Sequence, residues 1–352
     1  MERAAGKPRR RLAIGIGVFF ILAIAAVVGY GYYDRFVAPT KVLAARVGNT
    51  RYTQGDLVDR MRVLQADARA EGQPFDLGRT PFEVLDKMSE AEVIRRFASE
   101  YGVQVTDEDI EFGLLLRFYP RVPEGQESVS GQIEQEYKDT YQRFLNESHI
   151  DDEAYRGIVE ETIYRSRLRA ALGELVPATS EQMEVHWIRV QPQGGLPILG
   201  QPRNVSPEEV LRKLETADFD EVAMEVSIPG PYADREGYVG WVPRGAFPRL
   251  DAVLFGDEST DPIPLNRPSG PVLLDDGAYI LKVTGGPEVR EVSQVMIDRL
   301  KEQALDQWLG QKKIEGSEEG WLEVKFDSKI YDWVIGQMRQ SAGPPTPEPA
   351  AQ

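Results

Sequence analysis

The sequence predicts an α+β protein. It has an N-terminal transmembrane helix, a mostly helical first half, a small α+β domain of short strands and helices, and a C-terminal amphipathic helix. Three observations lead there. Residues 12–33, LAIGIGVFFILAIAAVVGYGYY, are an uncharged apolar run. Residues 42–175 carry apolar positions at helical spacing between capping signals. From residue 180 the pattern changes to short alternating runs separated by Gly- and Pro-rich turns.

Composition narrows what such a chain can do. Its 352 residues allow two or three domains, each with a core of its own. The net charge is −16 and the basic residues form no stripe, so the counterion release that drives nucleic-acid binding has no source. Nucleic acid is excluded as a partner. The chain has no cysteine, which removes disulfides, thiolate nucleophiles and zinc–thiolate sites. His149 and His186 are its two histidines, too few for a multi-histidine metal site. No metal or cofactor is implied.

The elements follow in order. Residues 1–11, MERAAGKPRRR, are a basic tail before the apolar run of 12–33. A helix of about 20 apolar residues crosses a bilayer core of about 30 Å. The run ends in Tyr-Tyr-Asp-Arg, without the small-x-small exit of a cleaved signal peptide. Basic residues stay on the cytoplasmic side, so the expected topology is a single-pass anchor in the cell membrane with the bulk of the chain extracytoplasmic. Residues 42–52 read as a strand and turn bending at Gly48-Asn49, and Thr53 as the N-cap of a first helix. Gly102 suits a helix C-terminus, and Thr106 with Asp109 resembles a capping box. His149 falls in a polar loop between two further helices.

The second domain spans 180–286. MEVHWIRV alternates as a strand, PEEVLRKLETADFDEVAMEVS reads as a helix with Pro207 in its first turn, RLDAVLF as a short helix and GAYILKV as a closing strand. Residues 291–338 form a C-terminal helical segment, in which Val292, Met296, Leu300, Ala304, Trp308 and Leu309 share an apolar face. Residues 341–352, SAGPPTPEPAAQ without apolar surface to bury, are expected to be a disordered tail.

Four blocks of the second domain, VHWIRV, FDEVAMEVS, EGYVGWVPRGAF and PSGPVLLDDGAYILKV, resemble in order those of a parvulin-type (PpiC-like) peptidyl-prolyl isomerase. Upstream, RVGNTRYTQGDL, YGVQVTDEDIE and FLNESHIDDEAYRGIVEETIYRSRL resemble the helical domain of SurA-type extracytoplasmic chaperones. The resemblance covers residues 42–313. It implies a membrane-anchored foldase acting on unfolded or newly exported polypeptides and their X-Pro segments.

An X–Pro bond rotates over a barrier of about 18–20 kcal/mol set by amide resonance, and lowering it needs no covalent step. It needs an apolar clamp for the proline ring and polar groups aimed at the twisting amide. In parvulins, the resemblance implies, histidines on the first and last strands face a Cys or Asp. His186 falls at the first of these positions and Tyr279 replaces the second. Pro229 stands where the acid or thiol is expected, with Asp234 as a nearby substitute acid. Phe247, Leu250 and Phe255 fall at the proline-holding positions. Trp187, Trp241 and Tyr238 read as packing residues. Two functions stay open: isomerase with a partly eroded site, and non-catalytic chaperone or holdase that keeps the fold as a peptide-binding module. A third is a tethered structural partner in an envelope complex.

Overall fold

The computed structural model describes residues 26–120, 130–191, 205–230 and 232–341. In chain order its elements are β1 (Leu43–Val47), β2 (Thr50–Thr53), α1 (Gln54–Ala70), α2 (Thr80–Phe97), α3 (Asp107–Phe118), α4 (Ser130–Ser148), α5 (Asp152–Gly173) and β3 (Thr179–Val190). They continue as α6 (Pro207–Lys213), α7 (Phe219–Val226), β4 (Tyr238–Pro243), α8 (Pro248–Phe255), β5 (Val272–Leu274), β6 (Gly277–Glu291), α9 (Gln294–Glu318), β7 (Leu322–Val324) and α10 (Ser328–Ser341). The fold is mixed α+β and mostly helical. Two compact units divide it: Met1–Leu168 with Leu309–Gln352, and Arg169–Trp308.

In the first unit the expected local signals are in place. β1 and β2 form an antiparallel hairpin turning at Gly48, where φ is +57°. The Thr53 side chain accepts from the Asp56 amide, while the Asp56 carboxylate accepts from the Thr53 amide at 2.7 Å. The same reciprocal pair, Thr106 with Asp109, opens α3. Each satisfies helix-end donors that have no intrahelical partner. Gly102 takes a left-handed φ of +69° after the second helix.

What the sequence does not announce is how this unit closes. β7 pairs antiparallel with β1, giving the order β2–β1–β7. α10 then buries Ile330, Val334 and Met338 in one core with Leu57, Met61 and Leu85. A second core is aromatic: the Phe118 ring lies 5.0 Å from Tyr141 and 5.2 Å from Phe144. Glu90, 8% exposed, holds the polar side together. It accepts from Lys87 at 2.9 Å and Arg165 at 3.0 Å, with Lys313 at 3.5 Å. Burial works against the Glu90 carboxylate, but these cations outweigh it and hold its pKa below the usual value.

The second unit is a four-stranded antiparallel sheet in the order β4–β3–β6–β5. In β3–β6 the regular stretch pairs Val185 with Val283, Trp187 with Leu281 and Arg189 with Tyr279. Directly opposed residues point to the same face. One face therefore carries Val185, Trp187, Leu281 and Tyr279 into a core with Leu250 and Leu254 of α8 and Met296 of α9. The other carries Ile188, Val190, Ala278 and Ile280 into a core with α6 and α7. Both faces of the central strands are covered.

Two expectations need correction. The single helix expected across 207–227 is two, α6 and α7, because Asp218 takes an extended conformation (φ −70°, ψ 145°) and starts a new helix. For the expected membrane helix, residues 26–32 are helical, and residues 12–25 lie outside the described residues. Among the described residues no helix is long and apolar enough to cross a membrane. Residues 192–204 of the Gly/Pro-rich loop and 342–352 of the expected tail also lie outside the described residues.

Gly237 shows how tightly β4 is fitted to β3. Its φ is +75°, its carbonyl accepts from the Trp187 amide at 2.9 Å, and a Cβ there would stand 2.4 Å from the Trp187 carbonyl oxygen. A backbone atom cannot step aside as a side chain can. Gly237→Ala should destabilise the second unit by about 2–4 kcal/mol, from left-handed strain plus overpacking. Amide hydrogen exchange read over residues 183–190 checks this: protection should fall there and persist in the β1–β2 hairpin.

Candidate functional site

The site grows from the odd-numbered face of β3. Trp187, 8% exposed, has three aromatic neighbours edge-on: Tyr232 at 5.0 Å, Phe247 at 5.1 Å and Tyr279 at 5.4 Å, with interplanar angles of 85–87°. Edge-to-face contacts suit the ring quadrupoles and hold the four rings in one arrangement. Above them opens a cavity of about 460 Å³, lined among others by Trp187, Tyr232, Phe247, Leu250, Leu274 and Tyr279. Its size falls within the range of small-ligand pockets, about 300–1,000 Å³.

Local chemistry places Phe247 and Leu250. Phe247 is the N-cap residue of α8, with Pro248 in the first turn behind it. Ahead of it, Gly245 adopts φ +90° and donates its amide to Asp251 Oδ2 at 2.9 Å, tying the turn to the helix. Leu250 is fully buried one turn into α8. From α9, Arg299 donates its Nε to the Ala246 carbonyl at 3.1 Å, and its guanidinium lies 4.8 Å from the Phe247 ring centre.

The polar groups on the rim are paired with one another. Tyr279 donates its hydroxyl to Asp276 Oδ2 at 2.7 Å, and Arg189 donates Nη1 to the same oxygen at 3.0 Å. Arg189 also donates Nη2 to the Pro229 carbonyl at 2.8 Å. Burial opposes the Asp276 charge, but the two donors and the guanidinium outweigh it and hold its pKa below the usual value. Burial first, and then the bond to Asp276, push the Tyr279 phenol up, so it remains a protonated donor at neutral pH. Ser227 also lines the cavity, and its Oγ is buried without a hydrogen-bond partner.

The structure brings Phe247, Leu250 and Tyr279 together at one cavity. It does not bring His186, Phe255 or Asp234 there. Phe255, at the far end of α8, packs partly buried against the same core with the Arg244 guanidinium 4.6 Å over its ring. Asp234 sits exposed in a short turn. His186 lies on the other face of the sheet, against Tyr238 at 5.0 Å and Phe219 at 6.4 Å. The reason is register: adjacent strand residues point to opposite faces, and the cavity-facing position is Trp187. Trp187, Arg189, Tyr232, Asp276 and Arg299 were not singled out as site residues from sequence. The alternation of MEVHW, with Met183, Val185 and Trp187 apolar and Glu184 and His186 polar, is the signal that marks the Trp187 face as the packed one. Arg189 and Asp276 meet across a separation in sequence that no local pattern encodes.

His186 has its own electrostatics. Its Nδ1 stands 3.4 Å from Asp220 Oδ1, close enough for an ion pair, yet both atoms are buried without a hydrogen bond. The geometry therefore counts as proximity, not as a bond. Burial depresses the imidazole pKa; Asp220 pulls it up, Lys282 pushes it down, and Glu184 and Glu236 raise it, with burial dominating. A depressed folded-state pKa means the unfolded chain takes up the proton first, so stability falls as pH drops below about 6.5. Replacing the imidazole by an amide, His186→Gln, should flatten this part of the profile. Urea unfolding of both proteins between about pH 7.5 and 5 is the check, and parallel profiles would refute the assignment.

No family model matches the chain, and no curated protein matches it. Among solved structures it is similar to the peptidylprolyl isomerase PrsA from Bacillus anthracis, at 16% identity over 73% of this chain and 96% of that one, with a TM-score of 0.33. It is similar to NmPin, the parvulin of Nitrosopumilus maritimus, at 20% identity over 30% of this chain and 98% of that one, with a TM-score of 0.24. It is also similar to a SurA-like chaperone structure from Campylobacter jejuni, at 12% identity over 68% of this chain and 94% of that one, with a TM-score of 0.25.

Proposed function

We propose that the chain is a membrane-tethered, extracytoplasmic protein-folding factor. Its second unit binds X-Pro segments of unfolded or newly exported polypeptides and accelerates their cis–trans exchange. The observation that carries this reading is the cavity walled by Trp187, Tyr232, Phe247 and Tyr279 above Leu250. Proline-rich segments dock onto aromatic-lined grooves because the proline ring is flat-sided, apolar and already low in conformational entropy. The block order of the sequence supports the same reading, and the basic tail and apolar run at 1–33 support the tether.

The mechanism follows from the amide. A planar X–Pro amide owes its stiffness to a charge-separated resonance form, which a twisted amide loses. An apolar wall that removes water stabilises the planar, more polar form less than the twisted one. The four rings hold the proline ring still while the acyl side rotates. Tyr279 brings a hydroxyl to the clamp wall, and its proton is directed to Asp276. Pro229 offers only a carbonyl, which Arg189 occupies. These engaged groups favour weak turnover, carried by the apolar clamp more than by acid–base assistance. They also favour a second reading, a binding module without turnover, in which unfolded chains are held and not isomerised.

Exchange spectroscopy by NMR on X-Pro peptides, with the full chain in detergent micelles, separates these. Acceleration is expected, and Phe247→Ala should lower it about tenfold or more, the usual worth of an apolar pocket contact of this size. Retained amide protection around Trp187 shows that the variant is folded. Peptide binding without acceleration selects the holdase reading, and absence of binding overturns both.

A further inference from the structure

Resting on the proline-binding role proposed for this cavity, we infer that Arg299 makes it selective for segments with an acidic residue next to the proline. Three arginines, Arg189, Arg249 and Arg299, line the cavity, against one carboxylate, Asp276. This excess of positive charge sits on a chain whose net charge is −16. The three are not equivalent. Arg189 is committed to Asp276 at 3.0 Å and to the Pro229 carbonyl at 2.8 Å. Arg249 pairs with Asp275 at 2.5 Å, whose side chain is 89% exposed. Arg299 alone has no carboxylate partner among the described residues; its Nε is spent on the Ala246 carbonyl.

That single bond and the stacking on Phe247 hold the guanidinium where it can be used. Its centre is 4.8 Å from the ring proposed to hold the proline. Neighbouring Cα atoms in a peptide are about 3.8 Å apart, so a residue flanking a bound proline has its side chain within reach of that charge. A guanidinium offers paired donors matched to a carboxylate, whereas a lysine in the same segment meets like charge. Gln303, one helical turn further along α9, lines the same cavity and adds a neutral amide beside the charge. The helix that follows the closing strand thus supplies the discriminating group, while the sheet and α8 supply the clamp.

Titration of the full chain with proline peptides carrying Glu, Ala or Lys before or after the proline tests this. At low salt Glu peptides should bind about three- to tenfold tighter than Lys peptides, as for a partly exposed ion pair, and the gap should narrow as salt rises. Arg299→Glu should invert the order of Glu and Lys. The salt dependence of the unmodified chain is a readout that needs no variant. If Glu and Lys peptides bind alike while all still bind, or if Arg299→Glu leaves the order intact, the selectivity is refuted and the proline site stands. If no proline peptide binds, Ala included, the proposed function falls and this inference with it.

Discussion

The second unit depends on the antiparallel ladder between β3 and β6. Its register sets which side chains meet. With Arg189 opposite Tyr279 and Trp187 opposite Leu281, every cavity-facing group of the two strands lies on one side. A slip of one residue would move Trp187 and Arg189 to the α7 face and bring His186 to the cavity. Cores on both faces resist that slip. Burial of Val185 and Leu281 below one face and of Ile188 and Ile280 below the other fixes the parity twice over. Each such side chain contributes about 1.5–3 kcal/mol when fully buried, so a misregistered ladder would forfeit several of them together.

This explains what could be read from sequence and what could not. Local devices were legible because their chemistry is local. Thr53 with Asp56 and Thr106 with Asp109 encode helix starts within four residues. The turn and short helix that carry Phe247 and Leu250, and the closing strand that carries Tyr279, were legible as elements, and the structure places all three residues at one cavity. On the first strand, Trp187 lines the cavity and His186, one residue before it, lies on the other face. In MEVHW the alternation puts Met183, Val185 and Trp187 on one face and Glu184 and His186 on the other, and it breaks from Ile188 onward, where both faces are packed. Non-local pairings were out of reach: Arg189 with Asp276, or three-residue β7 with β1.

The polar side chains around the cavity behave as structural cement more than as free chemistry. Tyr279, Asp276, Arg189 and the Pro229 carbonyl satisfy one another, which keeps Asp276 charged and the phenol protonated. Such a closed set resists reorganisation and positions the aromatic wall it borders. For the binding proposed, a site organised this way would select shape first and charge second. It suits a folding factor that must accept many sequences around one ring.

The first unit is built from both ends of the described chain, with β1 meeting β7 and α1 meeting α10. Ribosomal synthesis runs from one end to the other. The second unit, contiguous from Arg169 to Trp308, is therefore complete in the nascent chain while the first still lacks its third strand and last helix. Until that strand arrives, β1 presents an open edge whose backbone groups can pair with any extended segment nearby. A factor proposed to shelter unfinished chains thus passes through the same exposure during its own biogenesis, until β7 pairs with β1.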